Sequence, residues 1–164
     1  MKKIALLFSM LVLLAICNDL KAQDYQSAIG LRLGAPIAVS YKFFISDAAA
    51  IELYLGFRSY GGIGYTFINP GAMYQLHFPI SSIDGLQWYV GAGASLFLYN
   101  YKGSFCPDCD GLAFGINGVL GLDYKFADAP INLSADWLPT LAIGGNFSGF
   151  GAGNGALSAR YTLN

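Results

Sequence analysis

Charge is scarce in this 164-residue chain. Asp, Glu, Lys and Arg make up 12% of it, where an ordinary soluble domain carries about 25%. There is one Glu, Glu52, one His, His77, and three Cys. No sign of charge dominates: 9 Lys and Arg face 10 Asp and Glu, a net charge of −1, which excludes a polyanion such as nucleic acid as partner. Long hydrophobic runs are also missing beyond Ile4–Ile16, which excludes a bundle of membrane-spanning helices. A 55% hydrophobic content excludes disorder. What is present is 21 Gly, 12 Phe, 11 Tyr and 2 Trp, with a mean hydropathy of +0.48. A greasy, Gly-rich, aromatic-rich chain without helical runs points to β-structure with lipid outside it.

Met1-Lys2-Lys3, the apolar run Ile4–Ile16 and the polar stretch Asn18 to Gln23 have the three parts of a secretory signal peptide. Cleavage is expected after Ala22, leaving one domain over 23–164. Leu14-Ala15-Ile16-Cys17 is a poor lipidation motif, since Ile16 stands where a small residue is expected. Export places Cys106 and Cys109 in an oxidising compartment.

From Tyr25 onward, apolar and small or polar residues alternate with period two, the signature of half-buried strands. Eight strands are expected, near Tyr25–Gly34, Ile37–Ser46, Ile51–Arg58, Gly71–Pro79, Leu86–Tyr99, Leu112–Phe126, Ile131–Leu141 and Ala156–Leu163. These lengths suit tilted strands crossing a membrane. Connections alternate between short turns and longer segments at 59–69, 100–111 and 143–154. The exception is the tight Gly34-Ala35-Pro36 link on the side of the longer segments. Short periplasmic turns and longer outer loops are the pattern of an outer-membrane barrel, with both termini periplasmic.

A soluble eight-stranded barrel of the lipocalin type is the structural rival, and it would show its charges outward. Here one strand face is almost purely apolar and aromatic. The other is Gly, Ala, Ser, Asn and Gln with nearly all the strand charges. Such a face suits a narrow lumen. Arg32, Lys42, Arg58, Lys125 and Arg160 share its parity with Glu52, Asp123 and Asp136. Six of these, Arg32, Glu52, Asp123, Lys125, Asp136 and Arg160, are expected to form a buried ionic network, because a charge facing lipid at mid-membrane is expensive. Phe43, Phe78, Trp88, Tyr124 and Tyr161 have the outward parity near the periplasmic strand ends and are expected to form an interfacial aromatic girdle. Phe44, Tyr54 and Tyr89 point inward and fill the lumen, which argues against an open diffusion pore.

Several segments carry a resemblance: Arg32 to Tyr41, Tyr41-Lys42-Phe43-Phe44-Ile45-Ser46-Asp47 with Ile51-Glu52, Tyr74 to Pro79, Gly85 to Gly93, Gly118 to Phe126 and Asn132 to Pro139. In these the chain resembles the small outer-membrane β-barrel proteins of Bacteroidetes, similar in build to the OmpX and OmpA transmembrane barrels. The resemblance implies an integral barrel, monomeric, surrounded by outer-membrane lipids and inserted by the barrel-assembly machinery. That machinery reads a terminal aromatic; here Tyr161 is kept but Leu163 and Asn164 follow.

Motifs with chemistry are few. Cys106-Pro107-Asp108-Cys109 can be a redox dithiol, half a metal site or a local disulfide. No helix-opening context favours redox, and the sole His belongs to another strand, so a small disulfide ring in a hairpin tip is expected. No cofactor and no metal are expected. His77 has no Ser two residues on, as a lipid A deacylase pattern would require. Its neighbours Gln75 and Gln87 are the expected hydrogen-bond partners. The Gly runs precede no Lys-Ser or Lys-Thr and are not phosphate loops. The sequence therefore points to a non-enzymatic outer-membrane barrel with a structural or surface-interaction role. A lipid-modifying outer-membrane enzyme is the alternative, and a soluble exported ligand-binding barrel is third.

Overall fold

The computed structural model describes residues 25–60, 65–101, 111–144 and 148–163. Cys17, Cys106, Cys109 and the signal segment 1–22 lie outside these residues. All regular structure among them is strand: β1 (Ser27–Gly34), β2 (Ile37–Phe44), β3 (Ala49–Tyr60), β4 (Tyr65–Pro79), β5 (Leu86–Tyr101), β6 (Gly111–Lys125), β7 (Ile131–Trp137), β8 (Thr140–Ile143), β9 (Gly149–Gly151) and β10 (Gly155–Leu163). Each pairs antiparallel with its neighbours. The ladders β1–β10, β10–β7 and β5–β6 close the sheet on itself. Closure removes the exposed sheet edges that an open sheet would present.

Ten segments make eight staves. β7 and β8 share one register against β6, with Leu120 opposite Trp137 and Asn117 opposite Thr140. The break at Leu138-Pro139 is bridged by Gly118 N–H donating to the Pro139 carbonyl at 2.9 Å. β9 and β10 form the last stave, interrupted by a bulge at 152–154. Trp137 faces Gly155 but Thr140 faces Gly151, so the last stave carries one extra residue there. The bulge resets the parity, which puts Phe150 and Leu157 on the same outer face, 68% and 65% exposed.

Two expected loops are shortened by the register, the first by the strand extensions that the sequence already suggests around Tyr65 and Phe67. β3 and β4 pair without interruption from Ala49↔Leu76 to Tyr60↔Tyr65, so most of 59–69 is hairpin. Asn69-Pro70-Gly71, a turn-like triplet in sequence, lies inside β4. Pro70 keeps its place opposite Leu55 on β3, while the ladder to β5 skips Asn69 and Pro70, as a residue without an N–H requires. Likewise β8 and β9 occupy parts of 143–154.

The barrel is inverted relative to a soluble one. Ile29, Leu31, Leu53, Leu55, Phe114, Ile116 and Leu133 lie on the exposed face, while Arg32, Lys42, Glu52, Gln75, Asp123 and Arg160 are buried in the lumen. Interior space comes from pairing large with small. Gly71 stands opposite Tyr54 and Gly121 opposite Tyr89. A Cβ on either Gly would strike the facing ring. Outward, Phe78 stacks on Trp88 at 4.4 Å, Tyr124 meets Phe126 edge-on at 4.7 Å and Tyr41 lies 5.7 Å from Phe43. With Tyr161, exposed on β10, these rings stand near the end that holds both chain termini.

Candidate functional site

The chemistry of this chain is concentrated in the lumen. Glu52, projected inward from the middle of β3, sits between two guanidinium groups. Arg32 Nη1 on β1 lies 3.0 Å from its Oε1, and Arg160 Nη2 on β10 lies 2.5 Å from the same oxygen. Gln75 Nε2 donates to Oε2 at 2.7 Å. Arg32 reaches on to Asp136 Oδ1 at 2.8 Å, and Tyr89 donates to the other Asp136 oxygen at 2.8 Å. Arg160 spends its remaining donors on Ser40 Oγ (2.9 Å), Ser134 Oγ (2.7 Å) and Asn132 Oδ1 (3.4 Å).

A second centre lies nearer the terminal end. Lys42 Nζ on β2 is 2.8 Å from Asp123 Oδ2 on β6, and 4.5 Å above the Tyr89 ring. Asn132 Nδ2 donates to the other Asp123 oxygen and so ties this centre to Arg160. Tyr25 closes the terminal mouth. Its ring meets Phe44 edge-on at 5.2 Å and its hydroxyl points at Asp123 Oδ2 at 3.5 Å. Burial first, and the Asp123 charge second, push the Tyr25 pKa well above its ordinary value, so the phenol remains a donor. His77 has Gln87 Oε1 3.0 Å from Nδ1 and Gln75 Oε1 3.3 Å from Nε2, and stacks on Tyr89 at 4.9 Å.

Arg32, Glu52, Asp123, Asp136 and Arg160 are thus brought into one connected lattice. Lys125 is not among them, and this corrects the sequence-based grouping. It has the inward parity, but it stands at the last position of β6, where its long stem turns to the rim and Nζ donates to the Phe126 and Ala129 carbonyls. Lys42 supplies the third cation instead. The lattice then holds three cations and three carboxylates, and every stave contributes to it. Among the described residues, Ser158 Oγ is the one buried side-chain polar atom without a hydrogen-bond partner. Toward the outer end the lumen also holds neutral contacts: Asn117 donates to the Tyr54 hydroxyl at 3.3 Å and Asn69 to the Leu96 carbonyl at 2.7 Å. No group of three His, Cys, Asp or Glu residues that could hold a metal occurs among the described residues. A filled, charge-balanced interior can brace the wall; among the described residues it brings no hydroxyl or thiol nucleophile to His77.

No protein-family model matches the chain, and no curated protein matches it. Among solved structures it is similar to the crystal structure of Neisserial surface protein A. The TM-score is 0.52 at 16% identity, over 84% of this chain and 93% of that one. At that identity the likeness concerns the fold, and it agrees with the register: the chain is an all-β, closed, antiparallel eight-stave barrel of the outer-membrane type.

Proposed function

We propose that this chain is an integral outer-membrane protein without enzymatic activity, a braced scaffold that displays its outer hairpins to surface partners. The observation that carries the reading is the lumen lattice. Three cations and three carboxylates on six staves, joined to the other two through Gln75 and Tyr89, commit the interior to holding the wall closed. The apolar outer face fits a surround of membrane lipid, and the N-terminal signal fits export followed by insertion through the barrel-assembly machinery. What remains for recognition is the end opposite Ser27 and Leu163, where β3 is followed by β4, β5 by β6 and β8 by β9. A loop disulfide at Cys106 and Cys109 would stiffen one of these connections.

Three experiments test this. The full chain reconstituted in liposomes should leave them impermeable to small sugars, and rapid osmotic swelling would refute the closed scaffold. Replacing 102–110 by a Gly-Ser linker should leave heat-modifiable migration intact while abolishing capture of a surface partner. His77→Ala should leave the acylation pattern of the host's lipid A unchanged; an altered pattern would move the assignment to a lipid-modifying enzyme.

A further inference from the structure

The barrel wall is not of even height. At the terminal end the strands are flush, with Ser27 paired to both Leu163 and Phe43, Phe43 to Ile51 and Phe78 to Trp88. At the other end they are not. β1 and β2 have 8 residues each, while β4, β5 and β6 have 15, 16 and 15. The difference is a notch over the β1–β2 link, Ala35-Pro36. Eight residues rising about 3.3 Å each at a tilt of about 40° reach roughly 20 Å, short of the ~25 Å apolar band of such barrels.

The apolar wall continues above this level on the opposite side. The register line from Ile37 runs through Phe57, Ile68, Leu98 and Leu112. Ile37 is seven residues along β2 from Phe44, but Leu112 is thirteen along β6 from Lys125. All five of these side chains are exposed and apolar. The notch therefore sits within the height of the lipid-facing belt, not above it.

What borders the notch is partly polar. β9 has β8 on one side and, among the described residues, no strand on the other. The bulge at 152–154 lies beside it. A cavity of about 20 Å³, room for roughly one water, opens between Pro36 and Gly155 and is bounded by Arg32, Tyr54, Asn69 and Asn154. Open backbone groups facing acyl chains cost several kcal/mol each.

We infer that the polar headgroup layer of the outer leaflet is drawn down into this notch, so that the barrel thins the leaflet on its β1–β2 side. The inference rests on the membrane reading above and adds to it a lipid contact with a defined position. Hydrated headgroups fit because they supply donors and acceptors to the open edge of β9, which acyl chains cannot do.

The test compares two lipid-facing sites of nearly equal height, Ile37 at the notch and Ile116 on the tall wall. Nitroxide labels are placed at Ile37→Cys and Ile116→Cys in the full chain with Cys17, Cys106 and Cys109 replaced by serine. The protein is reconstituted in dioleoyl-phosphatidylcholine vesicles, and collision with oxygen and with an aqueous nickel chelate is measured. The nickel-to-oxygen accessibility ratio at Ile37 should exceed that at Ile116 several-fold. Equal, oxygen-dominated ratios would overturn the thinning while leaving the membrane reading in place. Nickel-dominated ratios at both sites would overturn the membrane reading as well. Shielding of Ile37 from both reagents would assign the notch to a second protein copy and overturn the lipid contact. Leu33→Cys repeats the notch measurement from β1 should Ile37→Cys fail to fold.

Discussion

Two guanidinium groups converge on Glu52, and each has further partners. Glu52→Gln leaves Arg32 with Asp136, but leaves Arg160 with only the neutral oxygens of Ser40, Ser134 and Asn132. Removing one member of a buried ion pair costs about 3–5 kcal/mol. The unfolding free energy of Glu52→Gln, from urea titration in vesicles, should fall by that amount, and an unchanged value would mean that water already solvates the lattice. Gly121 makes a different demand. A Cβ there would come within 2.6 Å of the Tyr89 ring and 2.7 Å of the Ala135 carbonyl. Ring and backbone cannot both yield, so Gly121→Ala should destabilise by about 1–3 kcal/mol. The same urea titration measures it, and Tyr89→Phe should not rescue it because the ring remains.

Among the elements, the last stave is the one whose regularity is broken, and Trp137 compensates for it. Its indole N–H, on the lipid-facing side, donates to the Ala152 carbonyl in the bulge at 2.6 Å. Without the indole this carbonyl loses its donor within the protein. Trp137→Phe should therefore cost about 1–3 kcal/mol beyond the lost ring area. Trp88→Phe, which keeps a ring stacked on Phe78, serves as the control in the same unfolding measurement. This bulge was not legible in the sequence, since 149–155 is mostly Gly and carries no alternation. The other staves were legible because one face of each meets lipid and the other a narrow lumen, so Leu53, Leu55 and Phe57 alternate cleanly with Glu52, Tyr54 and Gly56. Gly71, expected as the first residue of a strand, lies inside β4 and is the space for Tyr54. The pairing of Lys42 with Asp123 was hidden for another reason. The two lie on different staves of the closed wall, 81 residues apart. Parity tells which charges face inward, but only the register around the closed barrel tells which of them meet.

For the whole molecule, the consequence of the lattice is cooperativity. The wall ladders join each stave to its two neighbours only, whereas Arg160 on β10 touches Glu52 on β3, and Lys42 on β2 touches Asp123 on β6. These contacts cross the lumen, so no stave can leave the wall without exposing a charge held on another. Unfolding in urea should then be a single transition reported alike at both heights of the barrel. Trp88, near the terminal end, is read alone in Trp137→Phe, and Trp137, beside the bulge, is read alone in Trp88→Phe. Within each variant the fluorescence midpoint should coincide with that from far-ultraviolet circular dichroism. A Trp137 transition preceding the loss of β-signal would show the β7–β10 region opening first. The lattice would then brace only the terminal half of the barrel, and the outer half, where Asn69, Asn117 and Tyr54 interact, would unfold on its own.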